Sequence, residues 1–160
     1  MKNKMKIFLI AVVLCFIGCK GNDKICTCAI FSEGDIGDNT YVIEVYESGM
    51  IKTSWGFSPY LVGHLLYREE YIDTERVPLL EDVRETHTAK LNQQEMKDIK
   101  GYIERCDLNF PNHWGHDVRL VFISCGNRQR HFFFKTADDE DVNKLIDKLI
   151  EFSPLKIKNI

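Results

Sequence analysis

Residues 118–136 carry the pattern that most restricts how this chain can fold. Val118 to Cys125 is a strand-length apolar run, Gly126-Asn127 follows, and Arg128 to Thr136 alternates. Phe132 and Phe134 would share one face of the return strand, His131 and Phe133 the other. A two-residue turn needs positive φ, which glycine adopts at no steric cost, so Gly126-Asn127 predicts a tight β-hairpin. Strands with alternating faces need one side covered, so the rest of the chain must supply more strands and something to lie on them.

Both are legible. Ile25 to Phe31 reads as a strand, with Ile25, Thr27, Ala29 and Phe31 on one face and Cys26, Cys28 and Ile30 on the other. Tyr41 to Glu47 and Met50 to Phe57 alternate around Glu47-Ser48-Gly49 and predict a second hairpin. Leu61 to Tyr67 and Val83 to Leu91 are further strand candidates, separated by an acidic stretch that breaks at Pro78. Asn92 opens a helix. Its side chain can accept from the free first-turn amides, Glu95 completes a capping box, and Leu91 can staple onto Met96. Met96, Ile99, Ile103 and Cys106 form its apolar stripe, and it should end near Asp107. A second helix, capped by Asp138, carries acids in its first turn where the helix dipole favours them. Its stripe is Val142, Leu145, Ile146 and Leu149, and Pro154 stops it. The expected fold is α+β: a single antiparallel sheet with two helices packed on one face.

The first residues have another character. Lys2, Lys4 and Lys6 precede Ile7 to Ile17, eleven uncharged residues, and then comes Gly18-Cys19. Eleven is about half of the roughly 20 residues a membrane-spanning helix needs, so the layout is that of an export signal. The small residue directly before Cys19 makes it resemble a bacterial lipoprotein signal; Leu14 is too large for Cys15 to serve. The resemblance implies cleavage before Cys19, attachment of three acyl chains there, and a firm membrane anchor. Lys20 stands where inner-membrane retention would want Asp, which favours the outer membrane. The expected organisation is a signal peptide over 1–18, a lipidated tether over 19–24 and one α+β domain over 25–160. The element order resembles small, uncharacterised envelope lipoproteins of lipoprotein-rich bacteria, a likeness that brings no functional residues with it.

Removal of the leader takes three of the 21 basic side chains and none of the 24 acidic ones, moving the formal charge from −3 to −6. A chain this acidic is a poor partner for nucleic acid or for an anionic membrane face, so lipid rather than charge must hold it at the membrane.

Motifs of chemistry are scarce. His113-Trp114-Gly115-His116-Asp117 offers two imidazoles and a carboxylate, a weak metal candidate with no second ligand cluster, and the plainer expectation is a solvated loop. His87 beside Glu85 resembles a base oriented by a carboxylate, but no nucleophile signature accompanies it. There is no Walker loop, dinucleotide fingerprint, zinc-protease motif or nucleophile elbow. No enzyme activity and no cofactor are expected. Trp55-Gly56-Phe57-Ser58-Pro59-Tyr60 places three aromatics in six residues, and Trp55, Phe57 and Tyr60 are the candidate contacts to a partner or ligand. The plainer expectation is that Trp55 and Phe57 finish a strand and point inward, with Tyr60 exposed. Arg128, Arg130 and His131 form a small basic spot that reads as a solvated strand edge.

The function expected from anchor, size and missing catalytic motifs is binding to another envelope protein, in one form an immunity-type lipoprotein that blocks an incoming toxin. The alternative is a small-ligand or glycan binder using the aromatic stretch 55–60.

Four cysteines remain after cleavage: Cys26, Cys28, Cys106 and Cys125. If the first helix lies antiparallel to the strand that follows it, Cys125 ends roughly 25 Å from Cys106 at about 3.3 Å per residue, out of disulfide reach. At most one long-range bridge is expected, from Cys26 or Cys28 to Cys106 or Cys125, with a strained Cys26–Cys28 bridge as second choice.

Overall fold

The computed structural model describes residues 23–31, 39–58, 78–108, 120–133, 137 and 139–158. Among these residues six strands form one sheet in the order β4-β3-β2-β1-β5-β6, every neighbouring pair antiparallel. In chain order they are β1 (Lys24–Phe31), β2 (Thr40–Tyr46), β3 (Met50–Phe57), β4 (Asp82–Lys90), β5 (Leu120–Cys125) and β6 (Arg128–Phe133). Helix α1 (Gln93–Arg105) separates β4 from β5, and α2 (Glu140–Phe152) follows β6. The fold is α+β with both helices on one face of a single sheet. The strand candidate at 61–67 lies outside the described residues.

The period-two alternation sorts the sheet into two faces. Cys26, Cys28 and Ile30 of β1, Ile43 and Val45 of β2, Ile51 of β3 and Val121, Ile123 and Cys125 of β5 join Ile99 of α1 and Val142, Leu145, Ile146 and Leu149 of α2 in the main core. The opposite face holds a smaller cluster of Ala29, Val42, Leu120 and Phe122 beneath Leu79 and Leu80. Ile25 departs from its expected face and packs with the main core. The cause is a register shift between Lys24 and Cys26, which breaks the alternation at the start of β1.

Local signals act as read at the turns and at one cap. Gly49 and Gly126 take φ of 79° and 64°. The Asn92 side chain accepts from the amides of Gln94 and Glu95 at 2.9 Å, and the Glu95 carboxylate accepts from the Asn92 amide at 2.7 Å, a complete capping box. At α2 the cap is Asp139, one residue later than expected; its carboxylate accepts from the Asp141 amide at 2.7 Å. Asp138 itself is outside the described residues.

The start of α1 hangs over the β2–β3 turn, where the Leu91 amide donates to the Gly49 carbonyl at 2.9 Å. Its end lies over the β5–β6 turn, where Arg128 donates to the carbonyls of Ile103 and Cys106. Both places are at the same end of the sheet, so α1 crosses the strands instead of following one. The centres of the two turns are three strand spacings apart, about 14 Å, a span that a helix of 13 residues, rising about 20 Å, covers.

Candidate functional site

The first half of the aromatic run, Trp55 to Phe57, belongs to a strand. Trp55 and Phe57 finish β3, and both are half-buried where inward-pointing side chains were expected. The reason is cover: the helices close over Ile51 and Thr53, while Trp55 lies further along the strand, near the chain that leaves α2. Tyr41 stands opposite Trp55 in the β2–β3 register, and the two rings stack with centroids 6.5 Å apart and planes at 27°. The Trp55 indole N–H donates to Asn39 Oδ1 at 3.3 Å. The backbone amide of Lys158 donates to the Tyr41 hydroxyl at 3.4 Å, tying the C-terminal chain to the same place. Together with Glu85, Leu155 and Lys156 these residues line a cleft of about 150 Å³.

A bulge shapes its rim. Trp55 pairs with Glu85 and Gly56 with Val83, so Arg84 is the extra residue on β4. Bulges re-aim side chains, and here the Arg84 guanidinium carbon sits 5.4 Å from the Trp55 ring centroid, within cation–π range. Gly56 makes the close approach possible. A Cβ built on it would stand 1.9 Å from the Asp82 carbonyl oxygen. The glycine inside the aromatic run is therefore there for backbone contact, a role the sequence reading did not assign.

Among the described residues β4 is the outermost strand, and all nine of its residues are exposed. Val83 is, among the described residues, the large apolar side chain left in water, 53% exposed. Asp82, Arg84, Glu85, His87 and Lys90 stud the strand with mixed charge. His87 Nε2 and Glu85 Oε1 lie 2.8 Å apart, but both side chains are about half in solvent. The carboxylate does orient the imidazole. The residue facing His87 across the register is Thr53, whose hydroxyl lies 2.9 Å from that of Ser153.

The basic spot on β6 comes apart. Arg128 is occupied with the carbonyls of α1, and His131 is buried at 5% exposure on the opposite face of the sheet. Burial, reinforced by the charge of Arg130, pushes the His131 pKa down to about 4. A half-buried carboxylate, Glu44, collects Lys52 at 2.9 Å and Lys24 at 3.0 Å. Burial opposes its ionisation, but the hydrogen bonds from the two lysines outweigh it and hold the carboxyl below its usual range. A wider, open hollow of about 750 Å³ lies between Ser48, Leu91 and the Met96–Lys100 side of α1.

The cysteine geometry differs from expectation. All four thiols are buried in the main core. Cys125 and Cys106 share a hydrogen bond, so they are neighbours and not about 25 Å apart. The expected antiparallel course of helix and strand is wrong because α1 crosses the sheet and finishes above the end of β5. Among the described residues no group of three or more His, Cys, Asp or Glu is placed to hold a metal ion. Cys19, Tyr60, His113 and His116 lie outside the described residues. Among those described, no helix is long and apolar enough to cross a membrane. No protein-family model and no curated protein matches the chain.

Proposed function

We propose that this chain is a lipid-anchored envelope protein whose domain binds another protein, and that the partner docks on β4. The observation that carries the docking site is a nine-residue edge strand exposed along its whole length. An outer strand offers a row of unpaired backbone donors and acceptors, and adding a partner's extended segment is a common mode of recognition. The mixed charges on β4 favour an added segment of complementary charge. The Trp55–Arg84 rim beside it supplies a rigid aromatic anchor of the kind that dominates binding energy. An immunity-type role against an incoming toxin is one form this takes.

The test is site-specific photocrosslinking in the native envelope. A photoreactive residue at Thr88 on β4 should capture one dominant protein, and the same group at Lys144 on α2 should not. Equal capture from both positions, or none from β4, sinks the reading. Trp55, half-buried and stacked on the buried Tyr41, supports a second reading, a glycan binder. It is favoured if β4 captures nothing while retention on glycan is lost in a folded Trp55→Ala variant.

A further inference from the structure

We propose that Cys26 and Cys125 are a disulfide site: the pair closes when the chain folds with a disulfide oxidant, and Cys28 and Cys106 stay as thiols. The geometry comes first. Thr27 faces Ser124 in the β1–β5 register, so one further step along each antiparallel strand sets Cys26 opposite Cys125. Their sulfurs lie 3.4 Å apart inside the core. Directly opposed residues of antiparallel strands have Cα atoms about 4.5–5.5 Å apart, within the span a disulfide bridges. Closing the bond needs side-chain rotation and no movement of the sheet.

The other two cysteines are less well placed. Cys28 faces Ile123 across the same ladder. Cys106 approaches Cys125 from the end of α1, but its thiol also donates to the Ile103 carbonyl at 3.4 Å, and its own carbonyl holds Arg128 at 3.0 Å. Drawing its sulfur onto Cys125 would disturb that helix end, whereas the Cys26 pair is already aligned by the sheet.

The chemistry balances with a small disulfide such as oxidised glutathione. One cysteine thiolate attacks it, forms a mixed disulfide and releases one glutathione thiol. The second cysteine sulfur displaces the other glutathione. Two protein thiols are oxidised, one external disulfide is reduced, and both protons leave on glutathione. In the closed core Cys125 is 3% and Cys26 1% exposed; the hydrogen bond with Cys106 favours the Cys125 thiolate, but the one with Cys26 and burial outweigh it and make the thiolate harder to form. The bond therefore forms while the core is open and is shielded afterwards. It ties together residues 99 positions apart, a long loop and hence a large restriction of the unfolded chain.

The experiment is refolding of the full chain with oxidised and reduced glutathione, alkylation of remaining thiols, and peptide mass mapping with fragmentation. The expected product links Cys26 to Cys125, with Cys28 and Cys106 alkylated. Its melting temperature should exceed that of the reduced chain by on the order of 10 °C. The gain should survive in a Cys28→Ser/Cys106→Ser double variant, which keeps the test open if Cys26→Ser or Cys125→Ser folds poorly. A bridge through Cys28 or Cys106, or a refolded chain in which Cys26 and Cys125 stay as thiols, overturns the proposal.

Discussion

Arg128 Nη2 donates to the main-chain carbonyl of Ile103 at 2.9 Å, joining the first residue of β6 to the last turn of α1. The Cys106 carbonyl accepts from Nη1 at 3.0 Å. The last carbonyls of a helix have no partners within it, and the negative end of the dipole favours a cation there. Arg128→Met should therefore lower stability by about 1–3 kcal/mol in urea unfolding. Arg128→Lys, with a single charged centre, should recover part of it. No change in Arg128→Met would mean that solvent satisfies these carbonyls equally well.

Leu145 and Leu149 are fully buried where α2 meets the sheet. Replacing either by Ala leaves a cavity in a close-packed core and should cost about 2–5 kcal/mol. Melting curves that both variants leave unmoved would contradict the packing of α2.

Gly56→Ala puts a methyl group where the Asp82 carbonyl stands. Backbone, not a flexible side chain, must move, so the bulged end of β4 should lift from β3. The expected loss is about 1–3 kcal/mol. Hydrogen exchange should quicken at Asp82–Arg84 while the Thr88–Lys90 end stays protected. Uniform protection along β4 would show that the strand accommodates the methyl.

His131 gives the stability an acid limit. Its pKa is about 4 in the fold and near 6.5 in the unfolded chain. Above pH 6.5 both states are neutral at this position and it contributes no slope. Between about pH 6.5 and 4 the unfolded chain takes up a proton that the fold refuses, so stability falls as pH falls, by up to about 3 kcal/mol. Urea unfolding at pH 7 and pH 4.5 should show a smaller acid loss in His131→Gln than in the native chain. Identical losses would assign the effect elsewhere.

The proposed anchor has its own test. Cys19→Ala should leave uncleaved precursor and remove the lipid-dependent mass shift. Normal cutting and lipidation of that variant would end the lipoprotein reading.

How far the sequence could be read depended on the range of the interaction concerned. The Asn92–Glu95 box and the Gly126 turn are decided within four residues, so their residue types were enough. Alternation placed Cys28, Ile30, Ala29 and Phe31 on their proper faces, and failed at Ile25 because a register shift is a property of two strands. Arg84 gave no sign of being a bulge for the same reason; the signal lay in Gly56, twenty-eight residues earlier, whose missing side chain admits the β4 backbone. The position of Trp55 depended on how far the helices reach along β3. The neighbouring of Cys106 and Cys125 depended on the course of α1 across the sheet, which its apolar stripe does not encode, since the stripe gives the buried face and not the heading.

β1, the first strand in the chain, lies in the middle of the sheet, hydrogen-bonded to β2 on one side and β5 on the other. A pull on the segment before Lys24 therefore enters the sheet at its centre and runs along the strand. It loads two ladders in shear together, where an outer strand would unzip one bond at a time.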